Sequence, residues 1–212
     1  MRLLTTTILL SICLTTMGQT FPTKKDDWPF TKKDKSHKTL TFYPGTYIDT
    51  EYRYTDSTGI NVIVQNSLRK GGQYIDPTGK DFFSVIYWYR IINETATPLE
   101  LTINFPADSF ATSPSPDSYL KAFLPLDTMA LGKEGLYAYG ATGLKSFLDT
   151  GLNKPTMLQR IINPKDALLF YIGVLYYQAY APSRAELVLK GKDVFYKIGG
   201  IEIPCGQITF KK

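Results

Sequence analysis

The chain has 212 residues and a formal charge of +5, with 15 Tyr, 12 Phe and 2 Trp but a single histidine. That histidine lies at position 37, ahead of the apolar body of the chain, which excludes a multi-histidine metal site or a Ser/His/Asp triad within that body. The positive charge is local: six lysines fall between Lys24 and Lys38 against Asp26, Asp27 and Asp34, so residues 40–212 are nearly neutral and no nucleic-acid partner is indicated.

Met1-Arg2 and the apolar, threonine-rich stretch from Leu3 to Met17 have the layout of a secretory signal. The stretch is too short and too polar to span a bilayer, which takes about 20 apolar residues. Small residues at Thr16 and Gly18 place cleavage before Gln19, so residues 1–18 read as a signal peptide and the mature chain as exported, either periplasmic or secreted. The rival reading is a lipoprotein signal on Leu10-Ser11-Ile12-Cys13 with Cys13 lipid-anchored, against which Ile12 is bulky for the position before such a cysteine. No transmembrane segment is expected in the mature chain. Residues 19–39 read as a charged flexible arm and residues 40–212 as one domain. Cys205 is then the sole thiol, and stability must come from the core rather than from a disulfide.

Within the domain, Gly59 to Gln65 is β-branched and Asp76-Pro77-Thr78-Gly79 is a turn in which proline presets φ. Asp81 to Ile92 is a long β-type run, and Leu99 to Phe105 alternates apolar and polar residues with the period of a half-buried strand. The turn-rich link Asn93 to Pro98 predicts that these two pair as an antiparallel hairpin, and its Asn93-Glu94-Thr95 sequon predicts an exposed turn. Tyr119 to Leu124, Met157 to Ile162, Leu168 to Tyr177, Glu186 to Lys190, Val194 to Ile198 and Ile208 to Phe210 supply further short strands separated by turn signals. Many short strands predict a mainly β fold, an antiparallel β-sandwich. The pattern resembles exported immunoglobulin-like sandwiches, a likeness of architecture that implies little about function.

Lys133 to Leu148 breaks this pattern, because Leu136, Gly140, Leu144, Phe147 and Leu148 fall on one helical face and predict one short helix inserted around residues 133–148. The runs 82–92 and 168–177 are apolar on both faces, which predicts neighbouring central strands covered on the outside by that helix or by a partner.

No cofactor, metal or catalytic motif is found. Ser67-Leu68-Arg69-Lys70 and Ser118-Tyr119-Leu120-Lys121 have the Ser-x-x-Lys spacing of penicillin-recognising enzymes, but neither opens a credible helix and the companion motifs are missing. Cys205, with no histidine in the domain to activate it, reads as a packed residue. The suggestive feature is the aromatic supply, and Trp88, Tyr89, Arg90, Tyr137, Tyr139 and Tyr177 are the candidate binding residues. The sequence therefore points to an exported, non-enzymatic binding or structural module that engages an envelope protein through an aromatic patch. The alternative is a carbohydrate-binding module with exposed Tyr and Trp platforms, and the third reading is a hydrolase with an unidentified carboxylate pair.

Overall fold

A computed structural model describes residues 37–39, 47–55, 61–112, 117–179, 181–182 and 184–211. The signal peptide, Cys13 and most of the charged arm lie outside the described residues, as does Tyr180. The fold is mainly β and its sheets are antiparallel. No helix among the described residues is long and apolar enough to cross a membrane.

The larger sheet is built from β1 (His37–Thr39), β2 (Ile48–Thr55), β3 (Asn61–Ser67), β4 (Lys70–Ile75), β5 (Asp81–Asn93), β7 (Phe110–Ala111), β8 (Tyr119–Phe123) and β10 (Ala167–Tyr177). Its order is β1-β2-β3-β5-β10-β8-β7, and β4 lies on the same edge of β5 as β3. The smaller sheet takes β6 (Leu99–Phe105), β9 (Thr156–Ile162), β11 (Ala185–Lys190), β12 (Asp193–Ile198) and β13 (Ile201–Phe210), in the order β11-β12-β13-β6-β9. His37–Thr39, assigned to the arm by composition, thus pair as a short strand with Glu51–Arg53.

β5 and β10 are the neighbouring central strands that their two apolar faces predict, paired with Tyr89 opposite Phe170 and Trp88 opposite Tyr171. Alternate residues leave the sheet on opposite sides. Val85, Tyr87, Tyr89 and Ile91 join Leu99, Leu101 and Ile103 of the smaller sheet in one apolar cluster. Phe82, Ile86 and Trp88 face outward, where Met129, Tyr139 and Leu148 cover them in a second cluster. In β10, a Cβ at Gly173 would collide with the Phe123 ring, so the glycine is what lets β8 fold that ring across its neighbour.

The cover is not the helix that periodicity predicts. Residues 131–150 form two 3₁₀ turns, Leu131–Lys133 and Tyr137–Gly140, and one short helix, α1 (Leu144–Thr150). Ala138, Tyr139 and Gly140 all have positive φ (44°, 56° and 67°), which no right-handed helix allows. Tertiary anchors impose that geometry. Tyr139 is fully buried, its hydroxyl donates to the Leu68 carbonyl at 2.5 Å, and its own carbonyl accepts from the Tyr171 hydroxyl at 2.7 Å. The Lys70 ammonium lies over the Tyr47 and Tyr139 rings and donates to the carbonyls of Glu134 and Leu136.

A second departure concerns β5 and β6, which do not pair with each other. β5 needs neighbours on both edges, which β3, β4 and β10 provide, and the link after it carries the chain into the smaller sheet, where β6 pairs with β9 and β13. Asn93 organises this crossing. Its side-chain amide donates to the carbonyls of Thr97, Ile162 and Asn163 at 2.9, 3.0 and 3.2 Å, while its Oδ1 accepts from the backbone N–H and hydroxyl of Thr95. Asn93 is fully buried and Thr95 nearly so, which corrects the expectation of an exposed sequon.

Two predictions follow from these anchors. Asn93→Asp puts carboxylate oxygen where three carbonyls point, and we expect it to lower unfolding free energy by about 3 kcal/mol or more in urea titration at neutral pH. Asp127 ties the cover together by accepting from the backbone N–H groups of Thr142 and Thr128, both at 2.8 Å, with Lys133 at 3.4 Å. The Thr142 N–H is the main cause that holds the Asp127 carboxyl down to about 2. A carboxyl depressed in the folded state stabilises fully above its unfolded value of about 3.9, and that stabilisation is lost as pH falls through the folded value. Asp127→Asn should therefore cost about 1 to 2 kcal/mol at pH 7, with the gap to wild type closing as urea titrations approach pH 2.

Candidate functional site

Adjacent residues on a strand point to opposite faces, so the six aromatic and basic candidates cannot share one patch. Trp88 and Tyr89 are both fully buried, Trp88 in the outer cluster and Tyr89 between the sheets, and Tyr139 is fully buried under the cover. These three offer no exposed platform, a correction to the patch that composition suggests. Arg90 is half-buried, and its Nε has no hydrogen-bond partner. Tyr137 is 77 % exposed and stands alone near β4. Only Tyr177 belongs to a surface aromatic group.

That group forms where β5, β8 and β10 end together. Tyr177 is the register partner of Tyr119, and their ring centroids are 5.3 Å apart. Phe82 lies 5.3 Å from Tyr177 on its other side. The Lys80 ammonium sits 3.6 Å from the Tyr177 ring centroid and 5.5 Å from those of Phe82 and Tyr119. Such a cation over aromatic faces is worth about 0.5–1 kcal/mol at an exposed site, weak enough for a ligand to displace. Tyr177 was legible from its aromatic run, but Lys80 and Tyr119 join it only through strand register.

Beside the rings opens a cleft of about 360 Å³ between the β4–β5 turn and α1. Its floor is apolar, with Leu148, Leu152 and Leu175, and its rim carries Asp76, Thr78, Lys121, Asp149 and Asn153. The turn is shaped by Asp76, whose Oδ1 accepts from the N–H groups of Thr78 and Lys80 and from the Thr78 hydroxyl at 2.7–2.9 Å. Asp149 accepts from the Tyr74 hydroxyl at 2.7 Å and from Lys145 at 2.8 Å. Lys121 donates to Asn153 at 3.4 Å.

Two carboxylates at one cleft raise the question of general acid–base chemistry, and their electrostatics answers it for this pair. The Thr78 hydroxyl holds the Asp76 carboxyl below its usual range, and Lys145 does the same for Asp149. Both are biased toward the charged form, the opposite of the raised carboxyl that serves as the acid in glycoside hydrolysis. Among the described residues the carboxyl raised by burial, Glu134, lies in the cover, facing Lys70 and Arg90. Among the described residues no group of three His, Cys, Asp or Glu side chains could hold a metal ion.

The candidate nucleophiles Ser67, Ser118 and Cys205 are engaged in the fold. Ser67 and Ser118 stand at a strand end and before a strand, not at helix starts. Ser118 donates to the Gln178 carbonyl at 2.7 Å. Ser67 sits where β3 gives way to β4 with one residue more than β5 has opposite, and its Oγ accepts from the Trp88 N–H at 2.8 Å. Cys205 is buried between the sheets, and burial pushes its thiol up to about 12, the behaviour of a packed apolar residue. If Ser67 is a strand-junction residue, Ser67→Ala strands a buried N–H and should cost about 1 to 3 kcal/mol in thermal or urea unfolding, and we expect a penicillin analogue to label neither the wild type nor the variant.

Compared with protein-family models, curated proteins and solved structures, the chain matches none of them.

Proposed function

We propose that this is an exported, non-enzymatic binding module whose cleft beside Lys80, Tyr119 and Tyr177 takes a hydroxyl-rich, ring-containing ligand of the carbohydrate class. The observation that carries the reading is the pairing of half-buried aromatic rings with a rim that offers both donors (Lys80, Lys121) and acceptors (Asp76, Asn153) around an apolar floor. Rings cover the apolar face of a sugar while mixed donors and acceptors meet its hydroxyls. Burial of Trp88, Tyr89 and Tyr139 takes these three rings out of the aromatic patch that would favour an envelope protein. A protein partner stays as the second reading because of exposed apolar side chains elsewhere, at Leu126, Met157 and Ile161.

Export rests on the layout of residues 1–18, and the mature chain would begin at Gln19, periplasmic or secreted. The architecture we propose is a β-sandwich, supported by the single apolar cluster that residues of both sheets share. Eight and five strands exceed the seven to nine of the immunoglobulin pattern, so the likeness to that fold is one of layering.

The test is the thermal midpoint of the purified chain against a panel of soluble glycans. A ligand at about 100 times its dissociation constant adds ~2.7 kcal/mol, which for a domain of this size raises the midpoint by roughly 5 to 10 °C. We expect such a rise with one glycan class, abolished in Tyr177→Ala and Lys80→Ala. A flat panel, or a rise that both variants keep, would remove the cleft as the site.

A further inference from the structure

The two sides of the sheet pair are finished differently. On one side β11, an edge strand, is sealed against the larger sheet: its Leu187 N–H donates to Asn66 Oδ1 and its Leu189 N–H to the Tyr54 hydroxyl, both at 2.8 Å. The Tyr52 hydroxyl adds a 2.7 Å bond to Glu186. Side chains of one sheet thus occupy the main-chain donors at the edge of the other, a protection that edge strands require.

The other side has no such seal. Among the described residues β9 pairs with β6 alone. β10 pairs with β8 from Gly173 onward, so its first half, Ala167 to Ile172, pairs with β5 alone. β8 stops short because the chain turns away after Phe123, with the Leu124 N–H donating to the Thr156 hydroxyl at 3.0 Å. Two unpaired strand edges, one from each sheet, therefore flank one groove of about 550 Å³. Leu124, Leu158, Leu168 and Phe170 line it, and Met157 beside it is 68 % exposed.

We propose that this groove accepts an extended, acidic segment of a partner polypeptide, which adds as a strand to the free edge of β9 and lays alternate apolar side chains on Leu158, Leu168 and Phe170. Strand addition supplies main-chain hydrogen bonds while an apolar groove selects alternate side chains. Charge identifies the occupant. Asp127 at the rim is already engaged by Thr128, Thr142 and Lys133, whereas Lys154 and Arg160 are exposed and, among the described residues, in no ion pair. The lysine-rich residues 24–38 of this chain carry the same sign as that rim. A second copy joined edge to edge through β9 would likewise set Arg160 and Lys154 against their own kind. A foreign segment with apolar alternation and acidic residues meets both conditions.

The probe is a ten-residue peptide of alternating Val and Thr ending in two Glu, compared with one ending in two Lys and with the Glu peptide N-methylated on one edge. Binding to the full chain is read by anisotropy, and amide hydrogen exchange is followed over residues 156–162 and 167–172. We expect the Glu peptide to slow exchange at those edge amides by about tenfold or more, and the N-methylated peptide to do nothing. Arg160→Glu should weaken the Glu peptide by about tenfold and strengthen the Lys peptide. Exchange already slow in the free protein would mean that its own arm or a second copy fills the groove; sedimentation would distinguish these, and either overturns the proposal. So would equal binding by the N-methylated peptide, or no change in Arg160→Glu. The cleft beside Tyr119 is lined by no residue of β9 and shares only Thr150 with this groove, and the two experiments use different variants, so they fail independently.

Discussion

The pairing of β5 with β10 governs the rest of the structure. Both strands are apolar on both faces, so the sheet they form cannot leave either side in water, and two covers have to be built. The smaller sheet covers one side, and residues from 129 to 148 cover the other. Burying a large aromatic or aliphatic side chain is worth about 1.5–3 kcal/mol, and the central strands bury Ile86, Tyr87, Trp88, Tyr89 and Ile91 in sequence positions so close that both covers are needed at once. The polar residues that look decorative in the sequence serve this demand. Asn93 and Thr95 carry the chain from one sheet to the other without leaving buried main-chain groups unpaired, and Asp127 fastens the second cover to itself.

The outer cover shows how a tertiary contact overrides a local pattern. Residues 133–148 have helical periodicity, yet a continuous helix would place the Tyr139 ring wherever its turn dictated. The chain instead takes three consecutive left-handed residues, two of them not glycine, each at a cost of about 1–2 kcal/mol, and recovers it through a buried ring and two hydrogen bonds across the sheet. The same contacts reach the junction of β3 and β4: the Tyr139 hydroxyl donates to the Leu68 carbonyl, which also accepts from the Ser67 hydroxyl whose oxygen receives the Trp88 N–H. Cover and strand junction therefore stand or fall together.

What could be read from the sequence follows from which signals are local. The alternation in Leu99–Phe105 and the double apolar faces of 82–92 and 168–177 are properties of single strands, and they appear in the structure with that facing. β4 is masked by Gly71-Gly72, whereas β2 alternates Asp49, Glu51 and Arg53 with Ile48, Tyr52 and Tyr54, a period-two pattern that was legible but lies outside the expected strands. The hairpin expected between β5 and β6 failed because a short turn-rich link can equally carry a chain between sheets, and only the competition for the edges of β5 decides. The candidate site was the least legible part. Lys80, Tyr119 and Tyr177 are far apart in sequence and meet through strand register, while Trp88 and Tyr89, adjacent in sequence, are separated by the thickness of the sheet.

The strand order of the smaller sheet also bears on how the molecule can be made. β13, Ile201–Phe210, lies in the middle of that sheet, between β12 and β6, although it is the last in chain order of the described strands. Leu99 waits for Phe210 and Ile103 for Gly206, so nearly half of the polypeptide must be synthesised after β6 before this partner exists. A nascent chain cannot complete this sheet, and the long loop closure makes its assembly slow as well as late. Closure of this sheet is thereby deferred until residues 201–210 are available to enter between β12 and β6.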